Sequence, residues 1–217
     1  MTATDSFRLG EKKVQLDSSL SSMTKDCSLI IPQKAIKEII SIFGEKEKEN
    51  LSIYFSPNQI LLESSFAEIS HPQVQFTSRL IEGEYPNYQE IIPKKYETRL
   101  VLSLEELISQ IKLASLFSGK INEVNLKIEP SKNKINFFSQ NPDVGEYQSF
   151  LTGKIEGKPC EISFNYRFLL DGLLSISSLQ KKGKEIVLEL NGSEKPGILR
   201  PKEEENYIYL VMPIKSS

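Results

Sequence analysis

Three times along this 217-residue chain, a short apolar run leads into an amphipathic helical pattern and then into alternating strands. The first run is Leu29-Ile30-Ile31-Pro32. After it, Ile36, Ile39, Ile40 and Phe43 recur at helical spacing within Gln33 to Phe43, and Gly44 suits the stop. Pro32 fits the first turn, where its missing N–H costs nothing. In the second, Leu100-Val101-Leu102 precedes Ser103, an N-cap with Glu106 three residues on; Leu104, Leu107, Ile108 and Ile111 then share a face. In the third, Cys160 to Phe164 precedes Asn165, a cap for a helix that buries Leu169, Leu173 and Ile176.

After each helix the apolar spacing changes to alternation. Leu51, Ile53 and Phe55 alternate, Ser56 to Gln59 form a turn, and Ile60 to Glu63 and Val74 to Leu80 follow. In the second unit Val124, Leu126 and Ile128 alternate before a turn at Pro130 to Lys134. Ile135 to Phe138 and Tyr147 to Gly153 come next. The third continues with Ile186 to Leu190, Ile198-Leu199 and Tyr207 to Val211. The order strand, helix, strand, strand, strand recurs about three times with a period of roughly 60–70 residues. It predicts a modular α+β fold.

The formal charge of −2 argues against a surface built wholly for nucleic acid, although a local basic face would suffice for phosphate contact. Cys27 and Cys160 are far apart and outside any metal-binding spacing, which fits reduced thiols better than a disulfide. No run approaches the ~20 apolar residues of a membrane span. The segment Met1 to Lys13 lacks the apolar region of a signal peptide, so a cytoplasmic protein is expected. Catalysis has little to work with: His71, between Ser70 and Pro72, is the single histidine, and there is no Gly-rich phosphate loop. No metal or cofactor is expected.

The C-terminal segment Tyr209-Leu210-Val211-Met212-Pro213-Ile214-Lys215 stays apolar nearly to the end of the sequence, where chains usually fray. Leu9, Val211 and Ile214 read equally as core or as the wall of a groove. Met212-Pro213 favours a receiving surface, because proline cannot donate to a sheet ladder.

Four segments resemble the bacterial replication sliding clamps, the beta subunits of DNA polymerase III. Ala3-Thr4-Asp5-Ser6-Phe7-Arg8-Leu9 resembles their Ala-Thr-Asp-Gly/Ser-His-Arg-Leu. Gly83-Glu84-Tyr85-Pro86-Asn87-Tyr88, closing at Pro93, resembles their Gly-x-Phe-Pro-Asp-Tyr…Pro linker between second and third domains. Phe164-Asn165-Tyr166-Arg167-Phe168-Leu169-Leu170-Asp171 resembles their Phe-Asn-x-x-Tyr-Leu-x-Asp, and Tyr-Leu-Val-Met-Pro-Ile-Lys resembles their tail. Phe7 replaces the common His, Tyr85 the Phe, and Gln89-Glu90 stand where Arg is frequent.

The resemblance implies the DNA clamp (processivity) fold in about three units, without the first clamp domain or most of the first half of the second. Residues 1–92 would be a partial middle domain, one strand around Phe7 to Leu16 plus a second half; residues 93–217 would be the C-terminal domain. It implies a non-enzymatic fragment whose groove docks short Leu/Phe-containing motifs of the polymerase catalytic subunit, the clamp loader and repair proteins. The alternative is a complete ring by self-assembly that encircles duplex DNA and slides without sequence specificity. The implied groove residues are Thr4, Arg8, Leu9, Pro86, Ile91, Asn165, Phe168, Leu210, Val211, Met212, Pro213 and Ile214. Lys34, Lys37, Lys112 and Arg167 are the candidates to face DNA, and Lys181-Lys182-Gly183-Lys184 is a weaker one. Glu45-Lys46-Glu47-Lys48-Glu49 reads as a solvated turn. Self-association is expected through exposed strand edges.

Overall fold

The computed structural model describes residues 1–16, 27–44, 51–65, 71–179, 184–204 and 206–215. Ser70 and the charged residues at 45–49 and 181–183 lie outside them. The chain divides into two units, Met1–Leu16 with Glu90–Ser217, and Asp17–Gln89.

The strands are β1 (Thr2–Thr4), β2 (Arg8–Lys12), β3 (Leu51–Phe55), β4 (Gln59–Ser65), β5 (Pro72–Arg79), β6 (Thr98–Ser103) and β7 (Glu123–Glu129). They continue with β8 (Lys134–Asn141), β9 (Gly145–Thr152), β10 (Lys154–Gly157), β11 (Cys160–Asn165), β12 (Glu185–Leu190), β13 (Gly197–Pro201) and β14 (Tyr207–Val211). The helices are α1 (Gln33–Phe43), α2 (Leu104–Ser115) and α3 (Tyr166–Leu179).

In the larger unit, α2 starts where the sequence says it should. Ser103 Oγ accepts from the Glu106 amide at 3.4 Å, Glu105 and Glu106 occupy the positive end, and Lys112 the last turn. Leu104, Leu107, Ile111 and Ala114 form its buried face. Asn165 Oδ1 accepts from the Arg167 amide at 3.0 Å at the start of α3, which buries Leu169, Gly172, Leu173 and Ile176. The two helices pack together, and their apolar faces join residues of two sheets in one core.

One sheet has seven strands, in the order β1-β2-β14-β13-β12-β6-β10; the other has four, β11-β7-β8-β9. The repeats β6-α2-β7-β8-β9 and β11-α3-β12-β13-β14 are cross-linked by exchange. The strand before each helix pairs with the strand after the other: β6 with β12, and β11 with β7.

The predicted order is therefore present twice in this unit, with β10 added between the repeats. Around Phe7 to Leu16 there are two strands' worth of pairing, since β2 forms a hairpin with β1 and its other edge lies on β14.

The smaller unit has a three-stranded sheet, β3-β4-β5, and α1. The run Leu29–Ile31, expected as a strand, belongs to no ladder; Ile30 O accepts from the Ile81 amide at 2.8 Å. A strand needs a neighbour, and among the described residues of this unit no second repeat offers one. Cys27 and Cys160 are both free thiols.

Candidate functional site

The hairpin β1–β2 turns at Asp5-Ser6-Phe7, with Ser6 at a φ of 75°. Asp5 makes the turn and also holds the arginine that follows it. Its Oδ1 accepts from the amides of Phe7 and Arg8, each at 3.1 Å, and its Oδ2 accepts from Arg8 Nε at 2.9 Å. Thr4 Oγ1 donates to Arg8 O at 2.9 Å and accepts from the Ser6 amide at 3.2 Å. The Thr-Asp-Ser-Phe-Arg run is thus one local network that fixes the position of Arg8 and presents Phe7.

Arg8 then reaches across to α3. Its Nη1 donates to Asp171 Oδ2, and its guanidinium carbon lies 4.7 Å from the centre of the Phe168 ring. Phe7 stacks on the same Phe168, with centroids 5.9 Å apart and planes inclined by 27°. Burial works against the charge on Arg8, but the bonds to Asp171 and Asp5 outweigh it and raise its pKa. Asp5 is the mirror case. Partial burial pushes its pKa up, yet the bonds from Arg8 and the two amides leave it below the ordinary carboxylate value.

Leu9 sits opposite Leu210, and Arg8 opposite Val211, in the β2–β14 register. The segment after β14 then leaves the sheet in steps. The Met212 amide donates to Phe7 O and the Ile214 amide to Ser163 O, each at 2.8 Å, so the tail bridges from the β1–β2 turn to β11. Pro213 stands between them, where no donor is needed.

Leu9, Leu210 and Val211 are buried, and Val211 belongs to the core between the sheets. Met212, Pro213, Ile214, Arg8, Asn165 and Phe168 are half-buried; Thr4 is exposed, and Phe7 is 60% exposed. The hairpin, the start of α3 and the tail therefore bring together ten of the twelve expected groove residues. Ile91, also in this unit, is exposed, and Pro86 belongs to the smaller unit. Phe7 and Asp171 complete the cluster. Both stand within motifs of the sequence, but nothing local in the sequence shows that they meet Phe168 and Arg8.

Elsewhere in the larger unit, a groove of about 660 Å³ lies over β7 and β8, lined by Glu123, Asn125, Lys127, Glu129 and Asn136 among others. Among the described residues no cluster of metal-binding side chains occurs. Lys112 and Arg167 are exposed on α2 and α3, and Lys34 and Lys37 are exposed on α1. No helix among the described residues is long and apolar enough to cross a membrane.

Comparison with known proteins gives this arrangement a family. Residues 89–215 match the model of the C-terminal domain of the DNA polymerase III beta subunit, and residues 1–87 match that of its central domain. A beta sliding clamp from Staphylococcus aureus is 31% identical over 216 residues, covering 99% of this chain and 53% of the relative. The crystal structure of a DNA polymerase sliding clamp from Bacillus subtilis superposes with a TM-score of 0.87 at 28% identity, over 100% of this chain and 53% of that one. That of the beta subunit from a Streptococcus pyogenes DNA polymerase gives 0.84 at 27% identity, over 99% and 54%. The chain spans about half the length of the relatives it matches. With both domain models matched along nearly its whole length, the chain belongs to the DNA polymerase III beta subunit family.

Proposed function

We propose that this chain is a non-catalytic sliding-clamp fragment that docks short linear peptides against the cluster formed by the β1–β2 hairpin, the start of α3 and the segment after β14. The observation that carries this reading is the Phe7–Phe168–Arg8 stack beside Met212, Pro213 and Ile214. An exposed aromatic face next to an adaptable methionine suits a leucine or phenylalanine anchor. Arg8, oriented by two carboxylates, suits a peptide carbonyl or an acidic side chain. Leu9, Leu210 and Val211 act from beneath, holding the two strands in register. Residues 1–92 serve as a partial middle domain and 93–217 as the C-terminal one, with Pro86 and Ile91 on the connecting segment. The partners are the catalytic subunit of a replicative polymerase, a clamp loader and further clients that carry such motifs.

Fluorescence anisotropy with a labelled peptide containing Leu and Phe anchors tests this. Phe7→Ala combined with Met212→Ala should weaken binding by at least about tenfold and leave the circular dichroism spectrum unchanged. Equal affinity in the double variant would remove the docking site.

A second reading, a self-assembled ring around duplex DNA, is supported by the exposed cations Lys34, Lys37, Lys112 and Arg167, all on helices. Retention on circular but not linear DNA is its test.

A further inference from the structure

The charge that an incoming peptide meets beside the Phe7–Phe168 stack is set by what already surrounds Arg8. Its guanidinium is held by two carboxylates. Nε donates to Asp5 Oδ2 at 2.9 Å, and Nη1 donates to Asp171 Oδ2. Two negative charges thus surround one positive charge, and the triad is net negative. Exposure strengthens the imbalance. The Arg8 side chain is 28% exposed and lies against the Phe168 ring, whereas those of Asp5 and Asp171 are 44% and 59% exposed. The solvent-facing part of the triad is acidic.

The other positive features at the start of α3 are engaged as well. The Arg167 amide donates to Asn165 Oδ1, so the helix end already has an acceptor. The Arg167 side chain turns to its neighbour. Its Nε donates to the Tyr166 hydroxyl at 3.4 Å, and its guanidinium carbon lies 5.9 Å from the centre of that ring. Asp171 follows Phe168 by three residues on α3, a spacing that puts the carboxylate and the aromatic ring on one face.

A peptide carbonyl and an acidic side chain both accept from a guanidinium, but these surroundings separate them. Arg8 has five N–H groups, and a carbonyl can take one of those left without bringing charge. A carboxylate in the same place must stand close to Asp5 and Asp171. Building on the docking reading above, we propose that this cluster takes peptides uncharged at the residue that meets Arg8 and rejects acidic ones there. Asp171 is the specificity-determining residue. Asp5 also holds the amides of the turn, whereas among the described residues the Asp171 carboxylate bonds to Arg8 alone. Its charge can therefore be changed without unmaking the hairpin.

The test is fluorescence anisotropy on the whole chain. The probes are a labelled peptide with Leu and Phe anchors among glutamines, and variants in which each Gln in turn is Glu. The wild type should bind the parent peptide and bind no Glu peptide more tightly. At least one Glu peptide should lose about fivefold or more in affinity, the factor that a like charge about 4 Å away costs in water. That penalty should shrink as salt rises, because the carboxylates are exposed and screened. In Asp171→Asn, which keeps the shape and an acceptor oxygen for Nη1, the penalty should vanish or reverse. A Glu peptide that outbinds the parent overturns the proposal, as does a penalty indifferent both to salt and to Asp171→Asn. In either case the parent still binds and the docking site stands. If the parent peptide does not bind the wild type, the docking reading falls and this selectivity with it.

Discussion

Gly172 lies directly beneath Tyr209: a Cβ at Gly172 would stand 2.4 Å from Cδ1 and 2.5 Å from Cε1 of the ring. A glycine inside a helix ordinarily costs stability relative to alanine. Here its absent side chain is the space the ring occupies. Tyr209 is buried, and its hydroxyl donates to Phe168 O at 2.9 Å, so the ring has no free direction to retreat. Gly172→Ala should therefore destabilise the larger unit by about 1–3 kcal/mol despite its better helix propensity. Denaturant unfolding checks this, and a stabilised variant would show that the ring yields.

Tyr209 should also report on alkaline pH. Burial pushes its pKa up to about 12, although the contact with Arg8 pulls the other way. The folded pKa lies above the ordinary value of 10, so this group's contribution is complete below that value and is lost as pH rises towards 12. Its magnitude is roughly 2–3 kcal/mol. Stability measured against pH should fall less steeply over that range in Tyr209→Phe than in the wild type.

Asp5 gives the opposite sign. Its folded pKa lies below the ordinary 3.8, so its contribution is present above that value and disappears as pH falls further. Asp5→Ala should cost about 1 kcal/mol near neutrality, the amount typical of a lost side-chain cap. The two stability curves should converge in acid. The same substitution removes one of the two carboxylates that orient Arg8, leaving Asp171, so the affinity for a docked peptide should fall along with it.

For the DNA-encircling reading, charge matters and sequence does not. Lys112→Glu with Arg167→Glu should lower the salt dependence of duplex binding by about one unit of slope for each phosphate no longer held, equally on unrelated sequences. Binding titrations at several salt concentrations would show it, and an unchanged slope would place these side chains away from the phosphates.

What the sequence disclosed was mostly local. Ser103 with Glu106, and Asn165 ahead of α3, mark helix starts through bonds spanning two or three residues, and all of them form. The alternation of Val124, Leu126 and Ile128 survives as the buried face of β7. Leu29–Ile31 has equally apolar residues and forms no strand, because strand formation depends on a neighbour that residue types do not reveal. β10 is invisible to periodicity because a four-residue strand with Ile155 as its buried residue carries no period. The cluster proposed for docking divides in the same way. Thr4, Arg8 and Met212 were legible within motifs. The bond from Arg8 to Asp171 and the stacking of Phe7 on Phe168 join parts of the chain too distant for any local pattern to connect.

The pairing of Leu9 with Leu210 has a temporal consequence. During synthesis the hairpin near residue 9 leaves the ribosome well before the edge it needs, which emerges only with the residues near 210. The entropy of closing so long a loop grows slowly with its length, but contacts of this range are the slow ones to form. The seven-stranded sheet is therefore complete only when β14 reaches β2. Until that moment the nascent chain carries an open β2 edge, the kind of surface on which wrong pairing starts.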